Sequence, residues 1–345
     1  MALAQRLRSG HLKWVARNES PAMPLPALFQ NRLRLPVIGA PMFIVSGPEL
    51  VIAQCKAGIV GSFPALNARP PSLLDEWIAR ITEELAAHDA AHPDAPSAPF
   101  AVNQIVHRSN DRLEQDLAVC ARHRVPIVIT SLGARADLND AVHGWGGITL
   151  HDVINLTFAR KALEKGADGL IAVAAGAGGH AGGLSPFALI EEIRGFFDGP
   201  LALSGAIATG RAVRAAEVMG ADFAYIGSPF IATQEAQASA AYKQMIVESS
   251  ADDVLYTPYF TGVHGNYLKP SIRAAGIDPD SLAEKERQRM DFGTGGADAK
   301  AWRDIWGAGQ GIGAVHDVVP AAARVARLAA EYEAAKAMEG RMRLR

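Results

Sequence analysis

The stretch Gly169–Gly183, GLIAVAAGAGGHAGG, joins an apolar run, Gly169–Ala175, to a loop, Gly176–Gly183, that sets one histidine, His180, among five glycines. A short run with no polar alternation is the pattern of a strand buried on both faces, and such strands belong to parallel sheets covered by helices. The loop follows directly on that strand. Glycine has no Cβ and tolerates positive φ, so backbone amides and a single imidazole can approach a flat or anionic ligand closely there.

Similar runs recur at Pro36–Met42, Ile59–Phe63, Phe100–Ile105, Pro126–Leu132, Ile148–Val153, Leu201–Ser204 and Phe223–Gly227, making eight candidate strands in all. Between them Pro48–Lys56, Ser72–His88, Arg112–Arg122, Arg135–Val142, Ile154–Lys165, Pro186–Phe197, Gly210–Met219 and Pro229–Ala240 carry helical spacing. Eight β/α units are what a closed barrel requires, so the predicted fold class is α/β, a TIM (β/α)8 barrel with a C-terminal helical appendage. A doubly wound open sheet is the alternative. The chain divides into an N-terminal extension (1–34), the barrel (35–240) and a helical and loop appendage packing on it (241–345). Two echoes, KGADG at Lys165–Gly169 and MGADF at Met219–Phe223, read as turns at the barrel bottom, where Gly166 and Gly220 close a helix in a left-handed conformation.

In the loop Asp89–Pro99 and just before it, His92 and His88 read as solvated residues without metal-ligand spacing. Beyond the barrel, Gln237–Ser249 and Pro320–Arg343 read as helices, and Asp291–Gly296 as a glycine-rich turn. The segment Gly307–Gly313 reads either as a loop folding back over the barrel mouth or as a linker.

Composition narrows the function. The 345 residues are 49% hydrophobic and 20% charged, with a net charge of -2, which argues against nucleic acid or an anionic membrane as the main partner and for a small ligand. Cys55 and Cys120 sit on separate amphipathic stretches, giving no support for a disulfide framework or a cysteine metal site and fitting a reducing cytoplasm. Arg6, Arg8, Lys13 and Arg17 are followed by no apolar targeting segment, and no run approaches the roughly 20 apolar residues of a membrane span.

In a barrel, active-site groups gather at the carboxyl ends of strands. Here those ends carry Gly39–Phe43, Asn103 with Gln104, His180, Ser204–Ala206 and Gly227–Ser228. Small residues after the last two strands, with Thr209 and Pro229 opening the next helices, form a phosphate site, so a phosphorylated cofactor is expected. Asn103 and Gln104 read either as partners of a heteroaromatic ring edge or as loop-capping amides. No serine triad, reactive cysteine or carboxylate pair accompanies His180, which leaves acid/base or anion-stabilising work.

These motifs resemble one family in order along Leu35–Glu235: Ala40–Phe43 (APMF), Gly58–Ser62 (GIVGS), Val102–Asn103, Ala174–Gly182 (AAGAGGHAG), Ser204–Ala206 (SGA) and Gly220–Ser228 (GADFAYIGS). They are similar to the nitronate monooxygenases, formerly called 2-nitropropane dioxygenases, and Gly307–Gln310 resembles a further motif of theirs near the flavin. The resemblance implies an FMN-binding TIM barrel that oxidises alkyl nitronates, such as propionate 3-nitronate, with dioxygen to a carbonyl compound and nitrite, without a metal. It further implies that His180 is the active-site histidine. Ala40, Pro41, Met42, Asn103 and Gly179 would bind the flavin, with Met42 and Asn103 at the isoalloxazine ring. Ser204, Gly205, Ala206, Gly227 and Ser228 would hold its phosphate, and Phe43 and Gln310 would line the substrate pocket. The chain departs from the family pattern at Phe43, where glutamine is common, at Ala206 in place of glycine, and at Ser228 in place of threonine. FMN-type enoyl-acyl carrier protein reductases share the Gly-Gly-His loop and are the first competing reading. A non-redox phosphate-binding barrel is the second.

Overall fold

All eight predicted runs form strands in the computed structural model, which describes residues 25–284 and 304–339. They are β1 (Val37–Gly39), β2 (Gly61–Pro64), β3 (Phe100–Ile105), β4 (Ile127–Ser131), β5 (Ile148–Val153), β6 (Gly169–Val173), β8 (Leu201–Ser204) and β9 (Phe223–Ile226). A short β7 (Gly179–His180) intervenes outside the barrel. The strand order is β1-β9-β8-β6-β5-β4-β3-β2, with every pair parallel. A parallel bridge between Ile38 and Val60, with Gly39 N donating to Val60 O at 2.7 Å, joins the first strand to the last. That bridge closes the ring and excludes the open sheet. Arg6, Arg8, Lys13, Arg17 and the turn Asp291–Gly296 lie outside the described residues.

The helices α1 (Pro48–Lys56), α2 (Leu73–Ala91), α3 (Leu113–Arg122), α4 (Ala136–Gly144), α5 (Leu156–Glu164), α6 (Pro186–Arg194), α7 (Gly210–Val218) and the four-residue α8 (Ser228–Ile231) alternate with the barrel strands. Inside the ring, Ile38, Ala101, Ile127, Ile129, Leu150, Ile171, Ala202 and Phe223 pack together. Phe29 plugs the bottom, its ring 4.9 Å from that of Phe223 at the start of β9. The echoed motifs do equivalent work there. Gly166 (φ 88°) and Gly220 (φ 105°) are left-handed, and the following Asp168 and Asp222 accept from Thr149 N (2.7 Å) and Leu201 N (2.8 Å) at the start of the neighbouring strand.

Three expectations need correction. Pro229–Ala240 is not one helix: after α8 the chain turns so that Thr233 bridges Val319 and Gln237 N donates to Val45 O (2.9 Å). Docking to the C-terminal segment and the β1 loop replaces intrahelical bonding. The next helix, α9 (Ala240–Glu248), therefore starts later than predicted, capped by the Ser239 hydroxyl. The Asp89–Pro99 loop is shorter than predicted, because α2 runs on to Ala91. Finally, the appendage contains strands as well as helices. β10 (Val254–Thr257) and β11 (Gly265–Leu268) form a hairpin whose inner strand pairs with β7. The short α10 (Lys269–Ala274) follows it, and the terminal α11 (Ala321–Glu339) crosses α7. A Cβ at Gly210 would collide with the Leu328 carbonyl and Tyr332 N of α11, so this glycine is what lets the two helices approach. Among the described residues no helix is long and apolar enough to cross a membrane.

Candidate active site

The carboxyl ends of the strands enclose a cavity of about 250 Å³. Ala40, Pro41, Met42, Phe43, Asn103, Gly179, His180, Ser204, Gly227 and Ser228 all line it. An adjoining hollow of about 20 Å³ is ringed by Gly176, Gly178, Gly205, Ala206, Gly227, Ser228, Gly309 and Gly311. The structure thus brings together the residues that the resemblance implies for flavin and substrate, with one exception. Gln310 lines neither space: it is exposed, its N–H donating to Gly176 O (2.9 Å).

The β1 loop is positioned by Asn67, a residue the motifs did not single out. Its amide donates to Met42 O (3.0 Å) and Ser46 O (2.8 Å) and accepts from Ile44 N (2.9 Å), using three bonds to fold the chain around Met42 and Phe43. Ile44 adopts φ 68°, an outlier for a β-branched residue. Leu132 (φ 62°) in the cavity wall and Ala206 (φ 54°) in the hollow are also left-handed, so three strand-to-helix turns at this end of the barrel hold strained backbone.

His180 is placed by the appendage. β7 pairs antiparallel with β11, with Gly265 opposite His180 and Asn266 opposite Gly179, and the Asn266 amide donates to Ala177 O (2.6 Å). The Thr261 hydroxyl donates to Val263 O (3.1 Å), so its oxygen is the acceptor for His180 Nε2–H (2.9 Å). With Nε2 as the donor to Thr261, Nδ1 is the basic ring nitrogen. Burial pushes the His180 pKa down to about 4, so the imidazole is neutral at neutral pH.

Asn103 has its orientation defined in the same way. Its Nδ2 donates to Ser131 Oγ (2.8 Å) and Ile129 O (3.2 Å), so what it can offer a ligand is its carbonyl oxygen. Gln104, by contrast, points away into the core against Cys120 Sγ (3.4 Å) and joins neither space. Asp152 at the end of β5 and Tyr225 on β9 also line the cavity, and sequence reading missed both. Two polar residues, His151 and Asp152, at the carboxyl end of an otherwise apolar run were the available signal for Asp152.

The hollow depends on glycine. A Cβ on Gly178 would stand 2.8 Å from Gly309 N and 3.2 Å from Ser228 Oγ. Gly309 N donates to Ser228 Oγ (2.8 Å), and Gly307 lines the cavity, so Gly307–Gly313 folds over the mouth rather than linking helices at a distance. Thr209 caps α7 beside the hollow through a bond from Ala212 N (3.1 Å). Among the described residues no cluster of His, Cys, Asp and Glu could hold a metal ion.

A family model described as nitronate monooxygenase matches residues 28–331. The chain belongs to the nitronate monooxygenase family. Nitronate monooxygenase of Paraburkholderia phytofirmans is 27% identical over 280 residues, covering 71% of this chain and 76% of that protein. Among solved structures, nitroalkane oxidase from Streptomyces ansochromogenes aligns with a TM-score of 0.72 at 24% identity, over 91% of this chain and 100% of that one. FabK from Thermotoga maritima aligns equally well, with a TM-score of 0.72 at 23% identity over 90% and 96% of the two chains. At these identities the solved structures speak for the fold alone. Membership of the nitronate monooxygenase family makes the protein an oxidoreductase.

Proposed function

We propose that this family member binds FMN and oxidises alkyl nitronates with dioxygen, giving a carbonyl compound and nitrite. The observation that carries the reading is the adjacency of the two spaces: a glycine-ringed hollow at the ends of β8 and β9 shares Gly178, Ser204, Gly227 and Ser228 with a larger cavity walled by His180 and Asn103.

The residues present fit the cofactor. The hollow admits backbone so closely that a Cβ at Gly178 would collide, and Ser228 Oγ, accepting from Gly309 N, keeps its own proton for an anion. Ser204, Gly205, Ala206, Gly227 and Ser228 would hold the phosphate. Ala40, Pro41, Met42, Asn103 and Gly179 would hold the ring system in the larger cavity, leaving Phe43 toward the substrate. When bound, FMN supplies the electron-accepting chemistry, and the protein supplies binding, orientation and electrostatics.

Neutral His180 offers Nδ1 as the base that removes an α-proton from a neutral nitroalkane, while Thr261 holds Nε2–H. For a substrate already in nitronate form the same ring orients the anion. Phe43, Leu66, Ile105 and Leu132 surround this chemistry with apolar wall and exclude water.

The test is nitrite release and oxygen uptake with propionate 3-nitronate by the FMN-loaded protein. His180→Asn should retain FMN and lose turnover by roughly 10²- to 10⁴-fold, the usual contribution of a positioned acid/base. Wild-type turnover in that variant removes His180 from the reaction.

A further inference from the structure

The cavity holds an acid that the proposed reaction leaves unused. Asp152 shares the cavity wall with Ser131, whose hydroxyl oxygen accepts from Asn103 Nδ2 (2.8 Å), and the Ser131 hydroxyl and Leu132 N–H favour the Asp152 carboxylate against its burial. Asn103, Ser131 and Asp152, on three adjacent strands, therefore meet in one wall of the cavity. Among the described residues no lysine or arginine lines the cavity. An anion placed beside ionised Asp152 would put two negative charges into about 250 Å³ without a cation in the wall.

Among the described residues four titratable side chains line this space: Asp152, His180, Tyr225 and Tyr242. Burial keeps His180 neutral above about pH 4 and raises both tyrosines, with the Asp152 charge adding to the effect at Tyr225. His151, beside Asp152 on β5, meets Thr130 Oγ1 and is likewise neutral above about pH 4. Burial pushes Asp152 up to about 6 against the opposing bonds from Ser131 and Leu132. Of these groups only Asp152 changes charge between pH 5 and 8.

We propose that Asp152 makes ligand entry proton-linked: an oxyanion, the nitronate included, binds together with one proton that Asp152 takes from solvent. The inference rests on the reading of the cavity as the nitronate site. The exchange balances, since one proton and one anion enter and the net charge of the cavity is unchanged. Protonated Asp152 can donate to Ser131 Oγ, which turns the Ser131 hydroxyl proton toward the ligand. Asp152 is thus a specificity residue that favours anions at low pH.

Sodium nitrate, an oxyanion that does not titrate between pH 5 and 8, is the probe. It is titrated into the FMN-loaded protein at constant ionic strength, and binding is read from the visible flavin spectrum. The dissociation constant should be flat at low pH and rise about tenfold per pH unit once Asp152 is ionised. Asp152→Asn should bind nitrate with no pH dependence. Ser131→Ala, which removes a bond favouring the carboxylate, should move the inflection to higher pH. An unchanged slope in Asp152→Asn, a pH-independent wild type, or no nitrate binding at pH 5.5 overturns the proposal. A protein that oxidises propionate 3-nitronate yet binds nitrate independently of pH refutes the Asp152 role alone. One that neither holds FMN nor releases nitrite refutes both readings.

Discussion

At His180 the tautomer is set from 81 residues away, by a threonine that no motif marks. Thr261→Val removes the acceptor for Nε2–H and should lower turnover about tenfold, a fraction of what a positioned base contributes, with FMN content unchanged. Histidines also govern acid stability. His151 is 5% exposed, and burial lowers its pKa to about 4. An unfolded-state value near 6.5 means that the unfolded chain binds the proton first, so the stability present above about pH 6.5 is lost as pH falls toward 4. The shift corresponds to about 3 kcal/mol. His180 adds to this loss, whereas the raised pKa of Asp152 opposes it. Unfolding free energies measured from pH 7 to 4 should therefore decline, and His151→Gln should show a shallower decline.

At the scale of elements, the barrel strands were legible because they are largely buried on both faces and read as mostly apolar runs. The hairpin β10–β11 was not. Its strands, VLYT and GNYL, are short and lack the tight two-residue turn that marks a hairpin, and the pairing of β11 with β7 is a tertiary contact. Pro229–Ala240 failed for the same reason: docking to Val45 and Val319 decided its conformation. Two contacts between elements can be tested. Asn67→Ala releases the loop that carries Met42 and Phe43 and should cost about 1–3 kcal/mol of unfolding free energy, as expected when buried backbone groups lose their partner. It should also weaken FMN binding, measured by flavin fluorescence. Gly210→Ala forces α11 off α7 and should destabilise by about 1–3 kcal/mol through overpacking, while FMN affinity changes little. An unaltered denaturation midpoint in Gly210→Ala would contradict the close crossing.

For the whole molecule, barrel closure converts residues spread from Ala40 to Ser228 into one cavity, and the appendage completes it by holding β7 and covering the hollow. The glycines and His180 were readable because few other demands on a chain produce such a loop. Asp152, Tyr225 and Thr261 were not singled out, because a polar side chain in a strand or loop acquires meaning only when its spatial neighbours are known. On the proposed function, this cavity holds FMN and passes electrons from a nitronate to it. The most direct measurement is an anaerobic titration of the FMN-loaded protein with propionate 3-nitronate, and separately with NADH and NADPH, followed in the visible flavin spectrum. Flavin reduction by the nitronate alone, with nitrite released on admitting oxygen, is the expected result. Reduction by a pyridine nucleotide alone, with no response to the nitronate, would contradict it and make the protein a reductase.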